Sequence, residues 1–334
     1  MFKQRSLLSY LGIYLRGLGM GAADVVPGVS GGTIAFISGI YEELLNTIKA
    51  FNISNIKSIP KEGVVSFWKK VNGTFVLALF AGIASSIISL ASIISGILEQ
   101  EGQTGEKIGL WSFFFGLIVA SILYIAKQIK GWGLREILGL IAGGSIAFYI
   151  TVAHVSDNSE STLFLFFAGA IAISAMILPG ISGSFILVLL GAYQPVMKAI
   201  KELLSLLKGG EYGELLTASL PIIVFASGCI VGLLSFSRIL SFLFKNYEKI
   251  TLATLTGFMI GSLNKIWPWK EVLDTRINSE GKLIPTVTGN ITPLTFEKMY
   301  TMDSFVPYAI GFSVLGFALV FGLEYIGNKF KNEK

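Results

Sequence analysis

Gly21-Ala22-Ala23-Asp24-Val25-Val26-Pro27-Gly28-Val29-Ser30-Gly31-Gly32-Thr33 decides the fold. It sits inside an otherwise apolar stretch, 11–49, and a helix does not run through it. Pro27 has no N–H to give and its ring clashes with the preceding turn, while the glycines favour a tight bend. The stretch therefore reads as a helix, a turn and a second helix. A second apolar stretch, 162–200, is cut in the same way by Leu178-Pro179-Gly180-Ile181-Ser182-Gly183-Ser184, 152 positions after Val26. Gly39-Ile40-Tyr41 and Gly191-Ala192-Tyr193 repeat at the same offset.

Composition says where such a chain lives. Of 334 residues, 53% are hydrophobic and 14% charged, against about 25% charged in soluble domains. That excludes an ordinary soluble enzyme, a disordered regulator and a nucleic-acid binder. The 38 glycines fit helices packed closely in a membrane. The single cysteine, Cys229, and single histidine, His154, support neither an internal disulfide nor a metal cluster. No metal or cofactor is expected. Lys3 and Arg5 precede apolar residues as in a signal peptide, but Gly12, Arg16 and Gly17 interrupt the run, so it is read as mature structure.

A spanning helix needs about 20 mostly apolar residues. Segments 72–98, 109–126, 136–154, 217–244, 250–266 and 304–326 qualify. The expected fold is an all-α polytopic membrane protein built as two repeats, 1–155 and 156–334. Each repeat is a broken hairpin (11–49; 162–200) followed by three transmembrane helices. Weaker echoes support the duplication: Ala81-Gly82 with Ser227-Gly228, and Gly116 and Ser121 with Gly257 and Ser262. A hairpin adds an even number of crossings whether it re-enters or spans, so three further helices make the unit odd. The second repeat is then inverted, as in many secondary transporters. With both termini inside, 16 of the 26 basic residues fall on the inner side, and the acidic loops 99–107 and 155–161 fall outside. The long loop 267–303 faces outward and shows no clear domain of its own.

The broken hairpins are the expected site. Irregular backbone at membrane depth persists only where protein or water covers it. Gly28, Gly31, Gly32, Gly180 and Gly183 let a ligand approach the backbone, with Pro27 and Pro179 setting the turns. Ser30, Thr33, Ser182 and Ser184 add hydroxyls. The helix after each turn offers free N–H groups and a positive dipole end, a combination suited to phosphate. Closely packed, kinked helices are the alternative. Arg238 is a charge at membrane depth and so a candidate anion ligand, with snorkelling as its alternative. Arg16 is a weaker candidate of the same kind. Asp24 either carries a coupling proton, pairs with Arg238 or Arg16, or caps the hairpin. Glu42 is a second coupling candidate; with Glu43 it is placed near the inner surface. Trp267-Pro268-Trp269 reads as an interfacial anchor, and Lys265 beside it is positioned to attract a headgroup. The residues alone reach an inverted-repeat transporter with an anion site, and leave a small soluble anion open as cargo.

At this point a resemblance enters. Gly21 to Thr33, followed by Gly39-Ile40-Tyr41-Glu42, resembles the signature of the bacterial polyprenyl-phosphate transporter family, as do the second turn and Gly261-Ser262-Leu263-Asn264-Lys265-Ile266-Trp267-Pro268-Trp269. The likeness covers nearly the whole chain. It implies a protein of the bacterial cytoplasmic membrane that returns undecaprenyl phosphate from the outer to the inner leaflet for cell-wall synthesis. A phosphate monoester carries about −1.5 to −2 at pH 7. Moving it inward costs about 2.3 kcal/mol per charge per 100 mV, so a coupling proton or cation is expected. Membrane undecaprenyl-diphosphate phosphatases share the inverted repeats and a Pro-Gly-x-Ser turn. Theirs continues with arginine, where Gly31 and Gly183 stand here, and no glutamate cluster lies near either turn.

Overall fold

The computed structural model of the chain describes residues 5–25, 30–98, 104–152, 162–209, 215–277 and 283–332. Helices dominate. The first broken hairpin is α1 (Leu7–Val25), α2 (Gly31–Ile37) and α3 (Tyr41–Ala50); the second is α9 (Thr162–Ile177), α10 (Gly183–Leu189) and α11 (Tyr193–Gly209). Both stretches break where Pro27 and Pro179 require, and both short helices stop identically. Gly39 and Gly191 adopt φ of 72° and 70°. Gly39 N–H bonds the Phe36 carbonyl and Ile40 N–H that of Ala35; Gly191 and Ala192 repeat this with Val188 and Leu187. This Schellman closure satisfies the last carbonyls and needs a left-handed residue, hence glycine. The shared offset of the two Gly-x-Tyr triplets thus has a local cause.

Between the hairpins run α4 (Ile53–Lys57), α5 (Ile59–Lys70), α6 (Gly73–Leu98), α7 (Gly105–Gln128) and α8 (Leu134–Val152). The first two are short, the second bent at Gly63 (φ 80°), and both bury no side chain fully. After the second hairpin comes α12 (Leu215–Ser262), 48 residues with a break at Tyr247 (φ −139°, ψ 43°). The segments 217–244 and 250–266 are therefore two arms of one bent helix, ending at Ser262 rather than 266. The last long helix is α14 (Val306–Asn332). By length and composition α6, α7, α8 and α12 are long and apolar enough to cross a membrane, with α9 and α14 giving shorter apolar stretches.

The helical bundle is that of an all-α membrane protein, with one small addition in the loop 267–303. Residues Lys270–Ile277 (β1) and Leu283–Asn290 (β2) form an antiparallel ribbon, followed by α13 (Pro293–Tyr300). Strand signal is present in the β-branched Val272, Thr275, Val287 and Thr288, which suit a pleated surface. This cap packs over the starts of α7 and α14 through Ile108, Trp269, Phe296 and Ala309. The indole N–H of Trp267 bonds the Ile291 carbonyl and that of Trp269 the Ser304 carbonyl, each at 2.8 Å. The Trp-Pro-Trp segment rivets the cap to the bundle.

The helices pack as four principal pairs: α1 with α6, α9 with the first arm of α12, α7 with α14, and α8 with the second arm of α12. Each crossing is set by glycine against backbone. Gly17 meets Leu79 and Gly82 meets Tyr14; Gly228 meets Phe166. Gly116 meets Ser313 while Gly316 meets Phe113, and Gly257 meets Leu140 while Gly143 meets Thr254. Lipid tails are as apolar as leucine, so close approach and dispersion hold such pairs together rather than water exclusion.

Candidate functional site

The tips of the two broken hairpins touch. The amide of Gly180 donates to Thr33 Oγ1 at 2.9 Å, Ser30 Oγ donates to the Met176 carbonyl at 3.1 Å, and the Tyr41 hydroxyl donates to the Ile177 carbonyl at 2.9 Å. Ser30 and Thr33 are fully buried. A methyl group on Gly32 would lie 2.8 Å from the Ile177 carbonyl oxygen. The carbonyls that the break in α9 frees are therefore satisfied by hydroxyls from the other hairpin, as membrane-depth irregularity demands. Tyr41 also stacks edge-on with Phe36 and Phe244 at centroid distances of 5.1 and 5.8 Å.

At the described end of the first turn, the N–H groups of Gly31 and Gly32 are already engaged. Asp24 Oδ1 accepts from Gly31 N–H at 2.7 Å, and Ser30 Oγ accepts from Gly32 N–H at 3.1 Å. Asp24 caps α2, the capping alternative among its expected roles. Gly31 must be glycine because an added methyl would lie 2.5 Å from Asp24 Oδ2. Pro27 and Gly28 lie outside the described residues.

The second turn is more open. Pro179 is buried, and Gly180, at φ 85°, seats against Met259 and Ser262 of α12. Ser182 begins α10 without a side-chain cap bond to it; its hydroxyl instead pairs with Ser184 Oγ at 2.9 Å. Ser184 is exposed, whereas Gly183 packs on the Ala172 carbonyl. A narrow cleft of about 10 Å³, open to the surface, is lined by Gly180, Ile181, Ser182, Phe185, Thr151 and Lys265, with Ala147 and Ile150 completing it. The Lys265 ammonium lies over the Phe185 ring, 4.4 Å from its centroid. Lys270 follows behind it and donates to the Lys265 carbonyl at 2.8 Å and to Asn290 Oδ1 at 3.3 Å. Burial, then the neighbouring Lys265 charge, push Lys270 down to about 7. Burial also lowers Lys265.

Other expected ligands lie elsewhere. Arg238 is exposed on α12 and its guanidinium bonds the Leu234 carbonyl of its own helix at 2.7 Å. It takes no part in the tip contact and does not line the cleft. Arg16 is half-buried and feels the charges of Arg5 and Glu43, which form a two-pronged ion pair with both contacts at 2.6 Å. Glu42 is exposed, and lines a larger open cleft with Asn46, Lys49, Ser241, Lys245 and Glu248. His154 lies outside the described residues. Lys270 carried no sequence signal of its own: only the β1–β2 ribbon sets it behind Lys265, whose carbonyl it bonds, without lining the cleft itself. Among the described residues no group of His, Cys, Asp and Glu is arranged to hold a metal ion.

Known proteins fit this arrangement. The model of a family described as undecaprenyl phosphate translocase-like matches residues 20–284. The chain is 45% identical over 323 residues to a protein of Vibrio cholerae named polyprenyl-phosphate transporter, covering 96% of this chain and 98% of that one. It is 33% identical over 269 residues to a Staphylococcus aureus protein of the same name, covering 76% and 85% respectively. No solved structure matches. The match spans both broken hairpins and the Lys265 segment, and the chain is a membrane protein of the undecaprenyl phosphate translocase-like family.

Proposed function

We propose that this protein carries a polyprenyl phosphate, undecaprenyl phosphate in the first instance, from the outer to the inner leaflet of the bacterial cytoplasmic membrane. It acts as a carrier and not as a phosphatase. The observation that carries this reading is the contact of two broken hairpins at their tips, Thr33 to Gly180, in a chain whose relatives bear the name polyprenyl-phosphate transporter. Irregular backbone of this kind is a costly feature that transporters use to handle polar cargo at depth.

Two inverted repeats, 1–155 and 156–334, are part of the proposal. The helix pairs support it: each hairpin's first helix packs on the first helix that follows it, and the second helix of each unit packs on the third of the other. Both termini lie on the cytoplasmic side, following the basic residues of the loops. The β1–β2 cap then faces outward. The isoprenoid tail stays in lipid while the phosphate passes the second turn, contacted by Ser182, Gly183 and Ser184. Co-transport of a proton or cation offsets the work of bringing negative charge inward, with Asp24 or Glu42 as the coupling group.

The test is headgroup access in sealed proteoliposomes holding undecaprenyl phosphate, with a membrane-impermeant phosphatase added outside. The expected result is cleavage of the inner-leaflet pool with protein and not in empty vesicles. Cleavage of only the outer half, with and without an imposed pH gradient, refutes the reading. The purified protein is expected to release no phosphate from the diphosphate lipid.

A further inference from the structure

We propose that Lys265 and Lys270, set behind Ser182 by the β1–β2 ribbon, form a capture site for a phosphate monoester or free phosphate at the mouth of the second turn. The assignment deepens the function proposed above and, in its lipid form, rests on it.

Lys270 Nζ sits on the Lys265 carbonyl and Lys265 Nζ over the Phe185 ring, and among the described residues neither has a carboxylate within ion-pair distance. Lys270 is only 7% exposed. A buried cation is costly unless countered. Its acceptors are neutral, the Lys265 carbonyl and Asn290 Oδ1, so they solvate the charge without cancelling it. An ammonium has three donors, and these two bonds leave one over. Lys265 is held against Phe185 by ring attraction, with its head in the same cleft as Ser182.

The surroundings are built to keep this charge in place. Asn290 Nδ2 donates to both Asn264 O and Asn264 Oδ1 at 2.8 Å. Asn264 Nδ2 donates to Thr151 Oγ1 at 2.8 Å. That chain of amides fixes Asn290 with its oxygen toward Lys270. The nearest acid in sequence, Glu271, is turned by strand alternation to lie against Gly289, its cross-strand partner. Lys265 beside the Ser182 hydroxyl, with the uncountered Lys270 behind it, matches an anion with several acceptor oxygens. The cleft wall formed by Ala147 and Ile150 belongs to α8, whose Ile146, Phe148 and Tyr149 point outward. An acyl-like tail attached to a phosphate seated here runs along that helix into lipid. Burial first, and the Lys265 charge second, lower the proton affinity of Lys270 before an anion arrives.

The experiment uses the full chain in lipid nanodiscs. Trp111 lies 5.7 Å from Lys270 Nζ, so tryptophan fluorescence reports on the site. Titrants are a polyprenyl phosphate, the matching alcohol and inorganic phosphate. The expected result is saturable binding of the polyprenyl phosphate and none of the alcohol. Lys265→Gln and Lys270→Gln each weaken it about tenfold or more, as loss of a charged hydrogen bond does, while Lys265→Arg keeps it. Asn290→Asp, nearly isosteric, supplies an internal counter-charge to Lys270 and also weakens binding, which guards against misfolding of the lysine variants. Tighter binding of the lipid than of inorganic phosphate assigns the site to the headgroup; equal affinity assigns it to free phosphate. Wild-type affinity in folded Lys265→Gln, Lys270→Gln and Asn290→Asp overturns the site, whether or not vesicles flip lipid. Lysine-dependent binding without any flipping keeps the site and overturns the transport reading.

Discussion

Gly180 and Thr33 belong to different halves of the chain, yet the amide of one donates to the hydroxyl of the other at 2.9 Å in a fully buried contact. Thr33→Val removes the acceptor and keeps the shape. It leaves a buried N–H unsatisfied, which costs about 1–3 kcal/mol. Thr33→Ser restores the acceptor. The expected outcome is a lower melting temperature in detergent and slower lipid flipping for valine, with both recovered in serine.

Asp24 separates capping from coupling. Asp24→Asn retains an oxygen for Gly31 N–H, so the fold holds, but it can no longer carry a proton. Asp24→Ala loses the cap as well, at a cost of about 0.5–2 kcal/mol. If Asp24 couples transport, flipping by Asp24→Asn proceeds without responding to an imposed pH gradient. Flipping assays with and without the gradient check this, with Glu42→Gln as the parallel arm. Retained gradient dependence in both variants rejects both coupling assignments.

Lys270 gives a pH dependence with a definite sign. Its folded-state value of about 7 lies below the free-lysine value near 10.4. Protonation therefore costs the empty fold stability, fully so below about 7, and the cost fades as pH rises toward the free value. A bound phosphate prefers the protonated form, so affinity falls as pH rises through about 7. The groups facing this ammonium are Lys265, Asn290 and the Trp111 ring; Tyr300 bonds the Lys270 carbonyl at 3.3 Å. The ligand's second ionisation, near pH 6, sets the acid limb. Binding titrations across pH are expected to peak between about 6 and 7, and Lys270→Arg to extend the plateau upward.

Arg238 is expected to be dispensable. It bonds only its own helix and is exposed, and surface changes of this kind stay within about 0.5 kcal/mol. Arg238→Ala should flip lipid within about twofold of wild type. A loss of tenfold or more would bring the guanidinium back as a headgroup ligand.

Gly228 tests the packing logic. A side chain there meets the Phe166 backbone. Gly228→Val forces α9 and the first arm of α12 apart, with an expected loss of about 1–3 kcal/mol, read as a lowered melting temperature.

Much of this was legible in the sequence because proline and glycine act locally. Pro179 and Gly180, and the paired Gly39 and Gly191, dictate breaks and helix ends wherever they stand. Apolar length announced α6, α7 and α8 within a few residues. The ribbon from Lys270 to Asn290 was missed because its strands are short and lie in a polar loop whose pattern competes with no strong period. The site was only half legible. Ser182 and its glycines were named, but a hydroxyl's partner is a tertiary fact: nothing near Thr33 says that Gly180 will fill it. The depth of Arg238 is visible in sequence while its facing is not. Lys265 was legible as a headgroup attractor beside the tryptophans, but not its place beside Ser182 and Phe185.

The tip contact also has a consequence for solvent. Where Ser30, Thr33 and Tyr41 satisfy the broken backbone of the opposite hairpin, no water column is needed to do so. The broken backbone at the tips is thus insulated by side chains rather than by solvent, so the contact asks for no aqueous path between the two hairpins.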